Sequence, residues 1–186
     1  MNYIIPKDMQ RIFIGIPVDK RSQQHINGLL ETVNNPSRGI RWVRENNRHL
    51  TLAFLGDIPV SRVGLLLRQF DKTYQREMCI QYSLSALTRF PNHRGRIIAL
   101  TGEPTAPLDN IFQITLKLLQ ENDFEFDQRR FRPHITLARI RDPKRLKTSF
   151  YQRVDITLNI TRVTLYQSTL TGQGSIYSPL KETCLA

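Results

Sequence analysis

The tightest constraint on this chain is that it nearly repeats itself. His49-Leu50-Thr51-Leu52-Ala53-Phe54-Leu55 falls without a gap on His134-Ile135-Thr136-Leu137-Ala138-Arg139-Ile140 at an offset of 85 residues, and four of the seven positions are identical. The same offset sets Arg11-Ile12-Phe13-Ile14 against Arg96-Ile97-Ile98-Ala99, both short apolar runs of strand type. It also lays Ile26, Leu29, Leu30 and Val33, at helical spacing, over Ile111, Ile114, Thr115 and Leu118, where only Thr115 interrupts the apolar stripe. A strand-helix-strand unit is therefore expected twice, at about 11–55 and 96–140.

Each copy is expected to continue into a helix and a further strand. Val63, Leu66, Leu67 and Phe70 outline the first of these helices, and Leu146, Phe150 and Tyr151 a shorter second one. Strands are expected at about 78–86 and 161–168, and a last one over Ser175-Ile176-Tyr177-Ser178-Pro179-Leu180 after the turn residues Gly172 and Gly174. Asn92-His93-Arg94-Gly95 has the composition of a hairpin turn. The pattern predicts one α+β domain over 1–186, built of two similar lobes, with the repeat at about 11–86 and 96–171.

Composition narrows the class of partner. Of 186 residues, 40% are apolar, so a packed core is affordable in length and content; 27 Lys and Arg against 16 Asp and Glu leave a net charge of +11, which favours a polyanion. The two cysteines, Cys79 and Cys184, sit in no metal-binding spacing and suggest no disulfide framework, which fits a reducing cytoplasm. The opening Met1–Asp8 carries charge where an export signal needs an apolar run, and nothing predicts a membrane span.

Of four histidines, His49 and His134 each have a threonine two residues on. Alternation along a strand sends His49 and Thr51, and likewise His134 and Thr136, to one face, while Leu50, Leu52, Ile135 and Leu137 face a core. If the lobes are related by an approximate two-fold, two imidazoles oppose each other across a cleft. Such a pair suits a phosphodiester: one neutral imidazole takes a proton from water, the other gives one to the departing alkoxide, and the threonine hydroxyls donate to phosphate oxygens. No metal or other cofactor is required, and no carboxylate cluster or paired-histidine ligand spacing flanks either motif.

On these residues the chain resembles the 2H phosphoesterase superfamily, defined by two His-x-Thr-x motifs, and within it the RNA 2′,3′-cyclic phosphodiesterases also called 2′-5′ RNA ligases. The resemblance extends to Arg11-Ile12-Phe13-Ile14-Gly15-Ile16, Phe131-Arg132-Pro133, Leu165-Tyr166-Gln167-Ser168 and Tyr177-Ser178-Pro179-Leu180. It implies a bilobal fold, each lobe an antiparallel sheet backed by helices, with the site in the groove between. It also implies hydrolysis of 2′,3′-cyclic phosphate RNA ends to 2′-phosphomonoesters, with the weak reversible 2′-5′ ligation of some family members; separately, a monomer in the cytoplasm is expected. A binding module without turnover, and a phosphodiesterase acting on 2′-5′ oligonucleotides or small cyclic nucleotides, are the alternatives. The basic segment from about 141 to 160 departs from the family pattern.

The resemblance further implies that Arg139 serves the phosphate, although strict alternation puts it opposite His134 unless a bulge intervenes. Turned inward, its charge would keep His134 neutral, which leans towards His134 as base and His49 as acid. Phe54, at the equivalent place, is read as core in preference to a base-stacking wall, Trp42, flanked by Arg41 and Arg44, as packing in preference to a base stack, and His25 and His93 are expected to face solvent. Lys144, Arg145 and Lys147, with Arg129, Arg130 and Arg132, are read as a basic rim.

Overall fold

The computed structural model describes residues 6–33, 39–127, 129–141, 151–172 and 174–186. Among these residues, nine strands and three α-helices follow one another as β1 (Met9–Pro17), α1 (Lys20–Thr32), β2 (Ile40–Trp42), β3 (His49–Pro59), α2 (Val60–Tyr74), β4 (Ile80–Phe90), β5 (Ile97–Thr101), α3 (Ala106–Gln120), β6 (His134–Ile140), β7 (Tyr151–Ile160), β8 (Arg162–Thr171) and β9 (Gly174–Cys184). The strands form one antiparallel array in the order β7-β4-β5-β6-β3-β1-β8-β9, with β2 paired to β6. The expected α+β, two-lobed architecture is present, and its midline lies between β6 and β3, which meet through the single register pair Leu50–Ile135.

That order contains an exchange. The strand that follows α2, β4, pairs with β5 and β7, so the first half of the chain delivers it to the second half's sheet. The strand β8 returns the exchange by pairing with β1. Each lobe is completed by the other's chain.

The apolar stripes found in the sequence face the core. Ile12, Ile14 and Ile16 of β1, Leu50 of β3, Leu66 and Phe70 of α2, and Ile98 and Leu100 of β5 are fully buried. Thr115, the interruption in the stripe of α3, is buried as well. Its hydroxyl donates to the Ile111 carbonyl at 2.8 Å and accepts from the Tyr74 hydroxyl at 2.8 Å, so a polar group at a core position is satisfied on both sides. Asp19 caps α1, accepting from the backbone N–H of Arg21 and Ser22, and also accepts from the Asn159 N–H of β7. The turn over Asn92–Gly95 joins β4 to β5 as expected, with the Gly95 N–H donating to the Asn92 carbonyl at 2.8 Å.

The expected placement of Tyr151 in a helix is corrected: it opens the strand β7, where it pairs with Thr88. Leu146, Phe150, Lys144, Arg145 and Lys147 lie outside the described residues. Cys79 and Cys184 are free and exposed. Among the described residues, no helix is long and apolar enough to cross a membrane.

Candidate active site

The two copies of the repeated motif open the strands β3 and β6, which flank the midline. Their histidines are oriented by the same contact. The Nδ1 of His49 lies 2.8 Å from the Asn47 carbonyl, and that of His134 lies 2.8 Å from the Arg132 carbonyl, in each case the residue two before the histidine. A carbonyl can only accept, so Nδ1 carries the hydrogen in both rings and Nε2 is left to take or give a proton.

The supports beneath these contacts differ. Asn47 is tied by its side-chain amide to the Ser175 carbonyl of β9 at 2.7 Å. Its neighbour Arg48 is buried and donates through Nη1 to Gln23 and Asn27 of α1. Around His49 the rings of Phe13 and Tyr177 lie at 4.7 and 5.2 Å, the latter edge-on. Gly15 makes room: a Cβ there would stand 3.0 Å from the Leu50 carbonyl oxygen and 3.2 Å from His49 Cδ2. His134 is stacked on Phe90, centroids 3.9 Å apart at 19°.

Register decides the remaining members. In β1 and β3, Ile14 pairs with Ala53 and Gly15 with Thr51, so Leu52 is passed over as a bulge. In β5 and β6, Ile98 pairs with Ala138 and Ala99 with Thr136, so Leu137 is passed over in the same way. A bulge shifts the pleat by one residue. Beyond it Ala53 and Ala138 turn to the core, and Phe54 and Arg139 turn to the face that carries the histidines.

His49, Thr51, His134, Thr136 and Arg139 accordingly line one cleft of about 620 Å³. Phe54 lines it too and is 47% exposed, which corrects its expected place in the core. Trp42, assigned to packing from the sequence, also lines it, with Arg41, Phe13 and Tyr177. Phe13 was open to discovery, since it stands between the fully buried Ile12 and Ile14 and so must face the other way. Trp42 comes from a strand whose partner, β6, is distant in the chain; Tyr177 belongs to the local hairpin of β8 and β9, which reaches the cleft through the pairing of β8 with β1. His25 and His93 are exposed, as expected.

Both imidazoles are held below their ordinary range. His49 is pushed down to about 4, first by burial among its aromatic neighbours and then by the charges of His134 and Arg139, against the opposing pull of the Asn47 carbonyl. His134 is lowered by burial and by the charge of Arg132, opposed by the Arg132 carbonyl. The field of Arg139 therefore falls on His49 rather than on His134, which removes the ground for leaning towards His134 as the base. Among the described residues, no three His, Cys, Asp or Glu side chains gather as ligands for a metal ion.

Two half-sheets, each presenting an imidazole and a hydroxyl to one shared cleft, define a hydrolase of the 2H phosphoesterase class. Residues 16–99 and 98–177 each match the LigT like phosphoesterase family, and the chain belongs to it. It is similar to RNA 2′,3′-cyclic phosphodiesterases of Thermotoga maritima, 26% identical over 92% of this chain and 94% of the relative, and of Methanocaldococcus jannaschii, 28% identical over 92% and 99%. Among solved structures it resembles E. coli LigT complexed with phosphate, with a TM-score of 0.73 and 25% identity, over 97% of this chain and 99% of that one.

Proposed function

We propose that this enzyme hydrolyses the 2′,3′-cyclic phosphate at the 3′ end of RNA to a 2′-phosphomonoester. The observation that carries this reading is the pair of imidazoles, each with Nδ1 held by a carbonyl, lining one cleft with Thr51, Thr136 and Arg139. The names of the relatives support the substrate.

In this mechanism one Nε2 removes a proton from water as the oxygen bonds to phosphorus, the bond from phosphorus to the 3′ oxygen breaks, and the other imidazole protonates that oxygen. In-line attack requires base and acid on opposite sides of the phosphate, and the origin of the two histidines on different half-sheets supports that arrangement. The Thr51 and Thr136 hydroxyls and the Arg139 guanidinium stabilise charge on the non-bridging oxygens. No metal takes part. With an RNA 5′-hydroxyl in place of water, the same pair supports weak, reversible 2′-5′ joining.

The test is incubation of an RNA ending in a 2′,3′-cyclic phosphate, in the presence of EDTA, followed by identification of the terminal phosphate isomer. A 2′-phosphate is expected, with His49→Ala and His134→Ala each slower by at least about a hundredfold. A 3′-phosphate product, or turnover that EDTA abolishes and a divalent ion restores, overturns the mechanism.

A further inference from the structure

Beside the cleft lies a second concavity of about 910 Å³, lined by β4, β5, the turn that joins them and the segment before β6. It lies on the same face of the sheet as the histidines. Directly opposed residues of antiparallel strands share a face, and the pairs Tyr151–Thr88, Thr88–Ala99 and Ala99–Thr136 run in one row from the groove to the site. The wall between the two spaces is Phe90, which lines the groove while its ring stacks on His134.

The groove's chemistry is that of a polyanion track. Arg89, Arg130 and Arg132 line it, with Glu103 as the opposing charge, and Tyr151, at its far side, is 68% exposed. The guanidinium of Arg132 lies over the Phe90 ring at 4.8 Å and donates to the Pro91 carbonyl, which places that charge where groove and cleft meet. From Thr136 to Tyr151 is three strand spacings, about 14 Å, a length that about four stacked nucleotides span at roughly 3.4 Å each.

We propose that this groove seats the single-stranded RNA that continues from the cyclic end. The inference rests on the reaction assigned above. A 2′,3′-cyclic phosphate is the 3′ terminus of its strand, so the polymer leaves the site only on its 5′ side and needs one track. On the opposite flank of the cleft Phe13 stacks on Tyr166 at 4.8 Å and meets Tyr177 at 4.9 Å, whereas the β4 and β5 flank continues into the arginine-lined groove. Arginines for phosphates and an exposed ring for a base are the means by which single strands are held without sequence preference.

The test uses Arg130→Glu and Tyr151→Ala, both at exposed positions outside the catalytic set. Binding of a fluorescent RNA octamer bearing a 2′-phosphate end is read by anisotropy at two salt concentrations, and turnover is measured on a mononucleoside 2′,3′-cyclic phosphate and on the octamer with a cyclic end. Each variant is expected to weaken octamer binding at least about tenfold, and Arg130→Glu to flatten its salt dependence. Mononucleotide turnover should stay within about twofold. Unchanged octamer binding in both variants, equal losses on both substrates, or displacement of the octamer by polyglutamate as readily as by unlabelled RNA, overturns the track. Octamer binding that responds to the variants, without turnover of either substrate by the parent protein, overturns the reaction and leaves the track standing.

Discussion

Phe54 and Arg139 occupy one place in two half-sheets, each the second residue beyond a bulged leucine and each turned into the cleft by that bulge. The pair gives the near-symmetric cleft its asymmetry, an aromatic ring on one side and a guanidinium on the other. Arg139→Ala should lower kcat/KM for a mononucleoside 2′,3′-cyclic phosphate by about a hundredfold, the scale of losing one donor to transition-state charge. Arg139→Lys should recover part of this, because a point charge replaces the fork. Wild-type rates in Arg139→Ala would remove the residue from the phosphate site.

The depression of the two imidazoles should be visible by titration. In the NMR spectrum His49 Cε1–H is expected to titrate near pH 4 and to move upward in Arg139→Ala, since removing a neighbouring positive charge favours the protonated ring. Linkage sets the sign for stability. Unfolded histidine takes its proton near pH 6.5, whereas folded His49 refuses it until about 4, so the unfolded state binds more protons in between. The stability that neutral His49 contributes is therefore present above about pH 6.5 and lost as the pH falls from there towards 4. Denaturation midpoints across that interval should fall less steeply in His49→Gln than in the parent; parallel curves would show that His49 titrates normally.

The same electrostatics bear on the proposed roles of base and acid. Within the proposed mechanism, the field of Arg139 adds to burial at His49 and favours the neutral form there, which suits His49 to be the base and assigns the acid to His134. A substrate whose 3′-side leaving group is a far weaker base needs little protonation. It should rescue His134→Ala more than His49→Ala, and the opposite pattern would reverse the roles.

The hydroxyl of Thr115 is a structural prediction separate from catalysis. Thr115→Val leaves the buried Tyr74 hydroxyl without its acceptor and should cost about 1–3 kcal/mol. Adding Tyr74→Phe should recover much of that loss, since the pair is then removed together. Urea denaturation of the single and double variants measures it, and additive losses would mean the two hydroxyls do not depend on each other.

The motif pairs, the faces of Leu50 and Ile135 and the three helices were legible because each rests on a local period. Phe54 and Arg139 were not, because the bulges at Leu52 and Leu137 depend on how β1 and β5 align against their neighbours, and no residue within β3 or β6 announces them. The strand opened by Tyr151 escaped for a similar reason. Val154, Ile156, Leu158 and Ile160 do alternate, but the basic segment before them carries helix-like spacing into Tyr151. Trp42 reaches the cleft through the pairing of β2 with β6, and Tyr177 because its hairpin docks through β8 on β1, both pairings between segments far apart in the chain.

The exchanged strands have a consequence for synthesis on the ribosome. Once Phe90 has emerged, β1 and β3 can already pair, yet the outer edge of β1 waits for β8, and β4 waits for β5 on one side and β7 on the other. An uncovered strand edge invites pairing with other chains. The nascent first half therefore spends most of translation as an unfinished sheet, and it becomes a closed unit only when Thr171 has left the tunnel. Truncation anywhere before that point should yield an aggregating fragment rather than a smaller working enzyme.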